Sequence, residues 1–85
     1  MSDLMTHVTE MIAQVADLDP AALTAESRFE DIDEWSSLKA LSLMVDVEQE
    51  LPIKLDLRRF MSVRTVGELV ALIAEGLGQP AKTAG

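Results

Sequence analysis

The chain has 85 residues, which suits one domain with a modest core but not an enzyme with a deep enclosed cleft. Fifteen acidic against seven basic residues give a net charge of −8, which repels phosphate backbones and anionic lipid, so we expect no nucleic-acid or membrane partner. The absence of cysteine excludes disulfides and a catalytic thiol. No apolar run reaches the length of a membrane span and no signal pattern is present, so the expected location is cytoplasmic.

The first predicted element is a helix from Asp3 to about Asp17. Its apolar residues recur every three or four positions, at Leu4, Val8, Met11, Ile12 and Val15. Pro20 ends this helix because the residue before a proline is disfavoured in the helical region, although Asp19 and Pro20 can also open a short turn. Residues 21–33 show no sustained period and form a long loop with isolated apolar anchors at Leu23, Phe29 and Ile32.

Two adjacent serines stand where this loop gives way to a second helical pattern, which continues to about Leu51. Ser36 is predicted to cap the helix, its oxygen accepting from amides of the first turn. Ser37 then takes the first helical position, with its hydroxyl in solvent. A helix N-terminus has unpaired N–H groups and a partial positive charge, so it favours a bound or attached phosphate. The pattern therefore indicates a serine that can carry a phosphate or a phosphate-linked group.

The second helix carries two apolar stripes. The first can face a core and consists of Ala40, Leu43, Met44, Val47 and Leu51. The second consists of Leu38, Leu41 and Val45 and lies roughly perpendicular to the first. Asp46, Gln49 and Glu50 keep the remaining side polar, so the helix is not buried all round. The second stripe either packs under the preceding loop or meets a partner.

The remaining pattern predicts two more helices. Pro52 breaks the second helix, and Asp56 caps a short helix from Leu57 to Met61. Thr65 and Glu68 form a capping box ahead of a last long helix with Val66, Leu69, Val70, Ile73 and Leu77 at helical spacing and with Gly76 and Gly78 at its end. No segment alternates as a strand does. We therefore expect an all-α, small four-helix bundle of three long helices and one short helix over residues 1–78, followed by a disordered tail over residues 79–85.

Several short segments carry a family resemblance. They are Leu18-Asp19-Pro20, Leu23-Thr24, Arg28-Phe29-Glu30-Asp31-Ile32, Glu34-Trp35-Ser36-Ser37-Leu38, Val47-Glu48, Ile53, Asp56-Leu57 and Ser62-Val63-Arg64-Thr65-Val66-Gly67-Glu68-Leu69. Together they strongly resemble the acyl carrier proteins and peptidyl carrier domains, over nearly the whole chain. In that family the serine of an Asp-Ser-Leu motif carries 4′-phosphopantetheine through a phosphodiester, and Ser37-Leu38 falls on the last two positions.

The resemblance implies an acyl carrier protein and not an enzyme. An acyl or aminoacyl group would be held as a thioester on a 4′-phosphopantetheine arm attached to Ser37, for enzymes of fatty-acid, polyketide or related secondary-metabolite biosynthesis. The implied partners of this monomer are a phosphopantetheinyl transferase, an acyl-activating or acyltransferase enzyme, and a ketosynthase or other downstream enzyme. The residues expected to contact them, besides Ser36 at the attachment site, are Leu38, Leu41, Val45, Asp46, Glu48, Glu34 and Trp35.

The chain departs from the family at Ser36, where the usual residue is an aspartate that helps to hold the metal ion of the transferase reaction. A hydroxyl is a poorer ligand for a hard divalent cation than a carboxylate is. Slow modification is therefore expected, and an alternative stays open in which the chain is an unmodified carrier-fold adaptor that binds a partner through its second helix. Lys39 and Ser42 also replace residues that are often acidic in fatty-acid carriers, which favours specialised partners.

Other polar and apolar residues suggest no further site. The acidic loop residues Glu30, Asp31, Asp33 and Glu34 lack the spacing of a calcium loop, and His7 has no companion ligand, so no metal site is expected. Met5, Met11, Met44 and Met61 fit apolar positions and are expected to fill the core. Trp35 either anchors the loop or stacks against a partner or the carried group.

Overall fold

The computed structural model describes residues 3–78 and contains four α-helices in that range. Helix α1 spans Asp3–Ala16, α2 Ser37–Glu50, α3 Leu57–Ser62 and α4 Val66–Gly76. These bounds confirm the predicted bundle of three long helices and one short one, and the ends differ from the predicted ones by single residues. The predicted tail, residues 79–85, lies outside the described residues.

The core lies between the four helices and the long loop, and every one of these elements contributes to it. Its buried side chains include Val8 and Ile12 of α1, Leu43 and Val47 of α2, Phe60 of α3, Leu69 and Ile73 of α4, and Phe29 and Ile32 of the loop. The predicted core stripe of α2 is confirmed, because Ala40, Leu43 and Val47 are buried while Met44 and Leu51 pack against them. Full burial of one such large side chain stabilises the fold by about 1.5–3 kcal/mol.

The predicted caps start the last two helices. The Asp56 carboxylate accepts from the N–H groups of Arg58 and Arg59 at 2.9 and 3.4 Å. Thr65 Oγ1 accepts from the Glu68 N–H at 3.1 Å. The Glu68 carboxylate in turn accepts from the Arg64 N–H at 2.7 Å, one residue earlier than in a strict capping box. In the first turns, the amides of Arg58, Arg59 and Glu68 are thus paired by side chains that lie close in sequence.

The long loop between α1 and α2 is more regular than its sequence suggests. It contains two 3₁₀ turns, Pro20–Ala22 and Phe29–Asp31. Asp19 opens the first turn, since its carboxylate accepts from the Ala21 N–H at 2.9 Å, which confirms the alternative of a turn at Asp19 and Pro20. Phe29 and Ile32 are buried and hold the second turn to the core.

Backbone hydrogen bonds attach this loop to the start of α4. Phe29 N donates to Arg64 O at 3.0 Å, Val66 N to Ser27 O at 3.0 Å, and Gly67 N to Ala25 O at 2.9 Å. The antiparallel bridge between Arg28 and Thr65 is the one β pairing found between residues 3 and 78. A Cβ on Gly67 would lie only 3.1 Å from Ala25 O, so glycine permits this close approach.

Candidate functional site

The two serines occupy the predicted positions at the start of α2. Ser36 is the N-cap, with an extended backbone (φ −143°, ψ 172°), and its Oγ accepts from the Lys39 N–H at 3.3 Å. Ser37 is the first helical residue, its side chain is exposed, and its hydroxyl makes no hydrogen bond within the described residues. The hydroxyl of Ser36 is therefore engaged by the helix, whereas that of Ser37 is available for chemistry.

The first amides of α2 differ from those of α4. Within residues 3–78, the N–H groups of Ser37 and Leu38 have no acceptor. At the start of α4, by contrast, the N–H groups of Val66 and Gly67 donate to loop carbonyls. Unpaired amides at the positive end of a helix stabilise a negative phosphate group. The beginning of α2 thus fits a phosphate ester on its first residue.

The residues just before the serines hold the loop in place. Trp35 is half-buried and stacks on Phe29, with ring centroids 5.1 Å apart and an interplanar angle of 25°. The Trp35 N–H also donates to Ile32 O at 3.1 Å. These contacts support the interpretation of Trp35 as a loop anchor. Glu34 is exposed and has a positive φ of 62°, the left-handed conformation that non-glycine residues adopt at a cost.

An apolar cavity opens beside the serines, between the loop, α2 and α3. Its volume is about 420 Å³, and Ser36 and Ser37 lie on its border. All three aromatic residues of the chain line it, namely Phe29, Trp35 and Phe60. A group attached to Ser37 would therefore lie next to a mainly apolar surface that includes three aromatic side chains.

The second stripe of α2 is exposed. Leu38, Leu41 and Val45 have 73%, 39% and 48% of their surface accessible. The loop does not cover them, so the alternative in which they pack under it is wrong. They form an apolar surface that continues along α2 from the serine.

The predicted acidic contact residues have different surroundings. Glu34 is exposed, and Asp46 is partly exposed on α2. Glu48 is half-buried, and its carboxylate accepts from the Leu55 N–H at 2.8 Å, which ties the segment between α2 and α3 to α2. No local pattern predicts this bond, because its partners lie in different elements.

Sequence reasoning missed the exposed apolar residues of α3. Leu57 and Met61 are 49% and 43% exposed, and Met61 lines the cavity beside Ser37. The expectation that Met61 fills the core is wrong, because Phe60 takes the buried position of this short helix. The available signal was the spacing of Leu57 and Met61, which are one helical turn apart.

No second reactive centre is found in the described part of the chain. His7 Nε2 lies 3.6 Å from Glu50 Oε1, between α1 and the end of α2. Between residues 3 and 78, no three His, Cys, Asp or Glu side chains are grouped so that they could bind a metal ion. No helix in the same range is long and apolar enough to cross a membrane.

A small helical bundle with an exposed, unbonded serine hydroxyl at the start of its second helix is typical of carrier proteins. In this class of protein the reactive group is attached covalently to the polypeptide. The family model described as "Phosphopantetheine attachment site" matches residues 6–73. The chain belongs to this family of phosphopantetheine-binding carriers. As a member, it takes 4′-phosphopantetheine as a covalent cofactor.

Curated relatives agree with this assignment. The acyl carrier protein of Phenylobacterium zucineum is 31% identical over 78 residues, which cover 92% of this chain and 99% of that protein. The acyl carrier protein of Thermotoga maritima is 28% identical over 76 residues, covering 89% of this chain and 94% of that protein. The meromycolate extension acyl carrier protein of Mycobacterium tuberculosis is 28% identical over 71 residues, which are 84% of this chain but only 62% of that protein.

Proposed function

We propose that Ser37 is the attachment residue and that the chain presents an acyl or aminoacyl thioester to enzymes of fatty-acid, polyketide or related secondary-metabolite biosynthesis. The observation that carries this proposal is the exposed Ser37 hydroxyl beside two amides without acceptors at the start of α2. Names of the relatives support an acyl rather than an aminoacyl group, since each is called an acyl carrier protein.

Each residue at the start of α2 has a distinct role in this proposal. Ser37 Oγ supplies the oxygen of the phosphodiester, and the N–H groups of Ser37 and Leu38 stabilise the phosphate charge. Ser36 holds the first turn of the helix. The arm supplies the terminal thiol for the thioester, and the polypeptide has no cysteine that could compete with it. The chain itself catalyses no step.

The exposed stripe Leu38, Leu41 and Val45 is the proposed contact surface for partner enzymes. It is apolar and begins at the residue after Ser37; Glu34 and Trp35 precede the two serines, and Asp46 follows Val45 on α2. Apolar surface with a polar rim is typical of protein interfaces. The proposed partners are a phosphopantetheinyl transferase, an acyl-activating or acyltransferase enzyme, and a ketosynthase or other downstream enzyme, which the chain meets as a monomer. Glu48 is the least available of the predicted contacts because its carboxylate already binds Leu55.

The test is the intact mass of the chain after coexpression with a general phosphopantetheinyl transferase. Wild type should gain the mass of one arm, and Ser37→Ala should gain none while its circular dichroism stays that of the wild type. Ser36→Ala is the matched control: it keeps the attachment oxygen but loses the cap, so it should be loaded and be less stable by about 1 kcal/mol. An arm on Ser37→Ala protein would contradict the proposal.

The serine at position 36 also supports a second candidate, an unmodified adaptor with the same fold. An adaptor would use the stripe of α2 for binding without an arm. Wild type that gains no mass with any transferase, while Ser36→Asp gains it, would favour the adaptor.

A further inference from the structure

We propose that α3 carries a second docking surface, formed by Leu57, Arg58 and Met61, that fits an apolar surface bearing carboxylates on a partner enzyme. The proposal rests on the carrier function proposed above, because it assumes that enzymes approach Ser37. The acidic loop and α2 attract basic groups of a partner enzyme, whereas α3 would attract acidic groups.

The first support is the distribution of charge. Residues 54–64 contain the four basic residues Lys54, Arg58, Arg59 and Arg64 and the single acidic residue Asp56, in a chain whose net charge is −8. This short segment therefore holds four of the seven basic residues of the chain. A partner with uniformly basic surface would be repelled where it meets α3.

The second support is the pairing of these charges. The Asp56 carboxylate caps α3 through the amides of Arg58 and Arg59. The Arg59 guanidinium lies 2.8 Å from Glu75 Oε1, and this hydrogen bond and charge raise the pKa of Arg59. Arg58 forms none of the ion pairs found within residues 3–78, and its side chain is exposed. Arg58 is thus the exposed cation that α3 leaves for a partner.

The third support is position. Met61 lies four positions after Leu57 and three after Arg58, so its side chain is a neighbour of both on the surface of α3. Met61 lines the same cavity as Ser37. The α3 surface therefore adjoins Ser37, the proposed attachment residue, through this cavity.

A two-signed surface around Ser37 gives a partner one preferred orientation. An enzyme with basic groups facing the loop and α2 and an acidic group facing Arg58 gains attraction on both sides. Turning the enzyme round places like charges together on both sides. A lipid surface is disfavoured, since the net charge of −8 repels anionic membranes.

The experiment uses the full chain loaded by a general phosphopantetheinyl transferase and labelled with ¹⁵N. The probes are two amphipathic helical peptides, one of leucine and glutamate and one in which lysine replaces every glutamate. The glutamate peptide should shift the amide signals of residues 57–62, whereas the lysine peptide should shift those of the loop and α2. Arg58→Glu should raise the Kd of the glutamate peptide about fivefold. Arg64→Glu has the same change of charge but lies outside the surface, so it should change the Kd less than about twofold.

Three results would overturn the α3 surface. They are shifts by the glutamate peptide that fall outside α3, equal losses in the two arginine variants, and binding of anionic phosphatidylglycerol vesicles that Arg58→Glu abolishes. A chain that takes no arm would instead contradict the carrier function, and the same titration of the unloaded chain would still test α3.

Discussion

Ser36 and Ser37 are adjacent residues with identical side chains, yet the two side chains have different surroundings. The extended backbone of Ser36 turns its oxygen toward the Lys39 amide, whereas Ser37 already has helical geometry and its hydroxyl is exposed. Substitution of Ser36 and substitution of Ser37 are therefore expected to have different consequences. Position 36 provides the cap of α2, and position 37 is the proposed attachment residue.

We predict that Ser36→Asp is loaded faster than wild type by a general phosphopantetheinyl transferase. Serine and aspartate cap a helix about equally well, so stability should change by no more than about 1 kcal/mol. A carboxylate beside Ser37, however, adds an oxygen ligand for the divalent ion that offsets charge in phosphoryl transfer. The measurement is a time course of the mass shift at several magnesium concentrations. Equal rates at all concentrations would show that the transferase completes the metal site without residue 36.

Glu34 offers a test of backbone strain at the same end of the loop. Its φ of 62° is a strained conformation for a residue with a Cβ but not for glycine. Glu34→Gly should therefore raise the free energy of unfolding by up to about 1 kcal/mol. Glu34→Val should lower it by about 1–2 kcal/mol because a β-branched residue resists this conformation. Asp33→Gly is the matched control and should be destabilising, since Asp33 is not among the residues with positive φ. Urea denaturation gives the ranking, and a destabilised Glu34→Gly would refute the strain.

At the scale of elements, α2 combines a buried face with an exposed apolar stripe. Val47 is fully buried, whereas Leu41 keeps 39% of its surface in contact with solvent. Apolar side chains of α2 thus stabilise the core on one face and stay exposed to solvent on the other. A charge introduced on each face should separate stability from recognition.

We predict that Val47→Glu unfolds the protein or destabilises it by several kcal/mol, because it buries a carboxylate without a partner. Leu41→Glu and Val45→Glu should change stability by less than about 1 kcal/mol and should slow loading by the transferase. Met44→Glu should lie between them, since Met44 is half-buried. Thermal melts and loading rates of the four variants check this order. A destabilised Leu41→Glu together with a stable Val47→Glu would mean that α2 is rotated from the described position.

The helices, their caps and the serine boundary could be predicted because their determinants lie within a few residues of each other. Asp56, Thr65 and Ser36 each cap amides two or three positions away, and the periodicity of apolar residues fixes the buried face. Contacts between distant segments could not be predicted in this way. The bond from Leu55 to Glu48 and the exposure of Met61 depend on how α3 is placed against the bundle.

At the scale of the whole molecule, negative charge is distributed with few compensating contacts. Within the described residues two arginine–carboxylate ion pairs are found, Arg28–Glu30 and Arg59–Glu75, and their side chains are between 51% and 70% exposed. Exposed pairs of this kind contribute little, so the repulsion of a net charge of −8 is only weakly offset.

We therefore predict that the Tm rises by about 2–5 °C between low salt and about 0.5 M sodium chloride, because salt screens the repulsion. Arg64→Glu makes the charge more negative and should have a lower Tm at low salt and a steeper dependence. Differential scanning calorimetry across the salt series measures both. A Tm that falls with salt would show that the ion pairs outweigh the repulsion.

The hydrogen bonds between the loop and the start of α4 determine how much of the chain must be synthesised before the loop can adopt its folded position. Backbone groups of Ala25, Ser27 and Phe29 form hydrogen bonds with residues 64–67, far along the chain. A nascent chain that has just emerged from the ribosome with α2 complete therefore lacks the segment that fixes the loop ahead of Ser37. The proposed attachment of the arm to Ser37 in this folded setting therefore requires the segment through residue 67, so a transferase that contacts the folded surface acts after that segment has been translated.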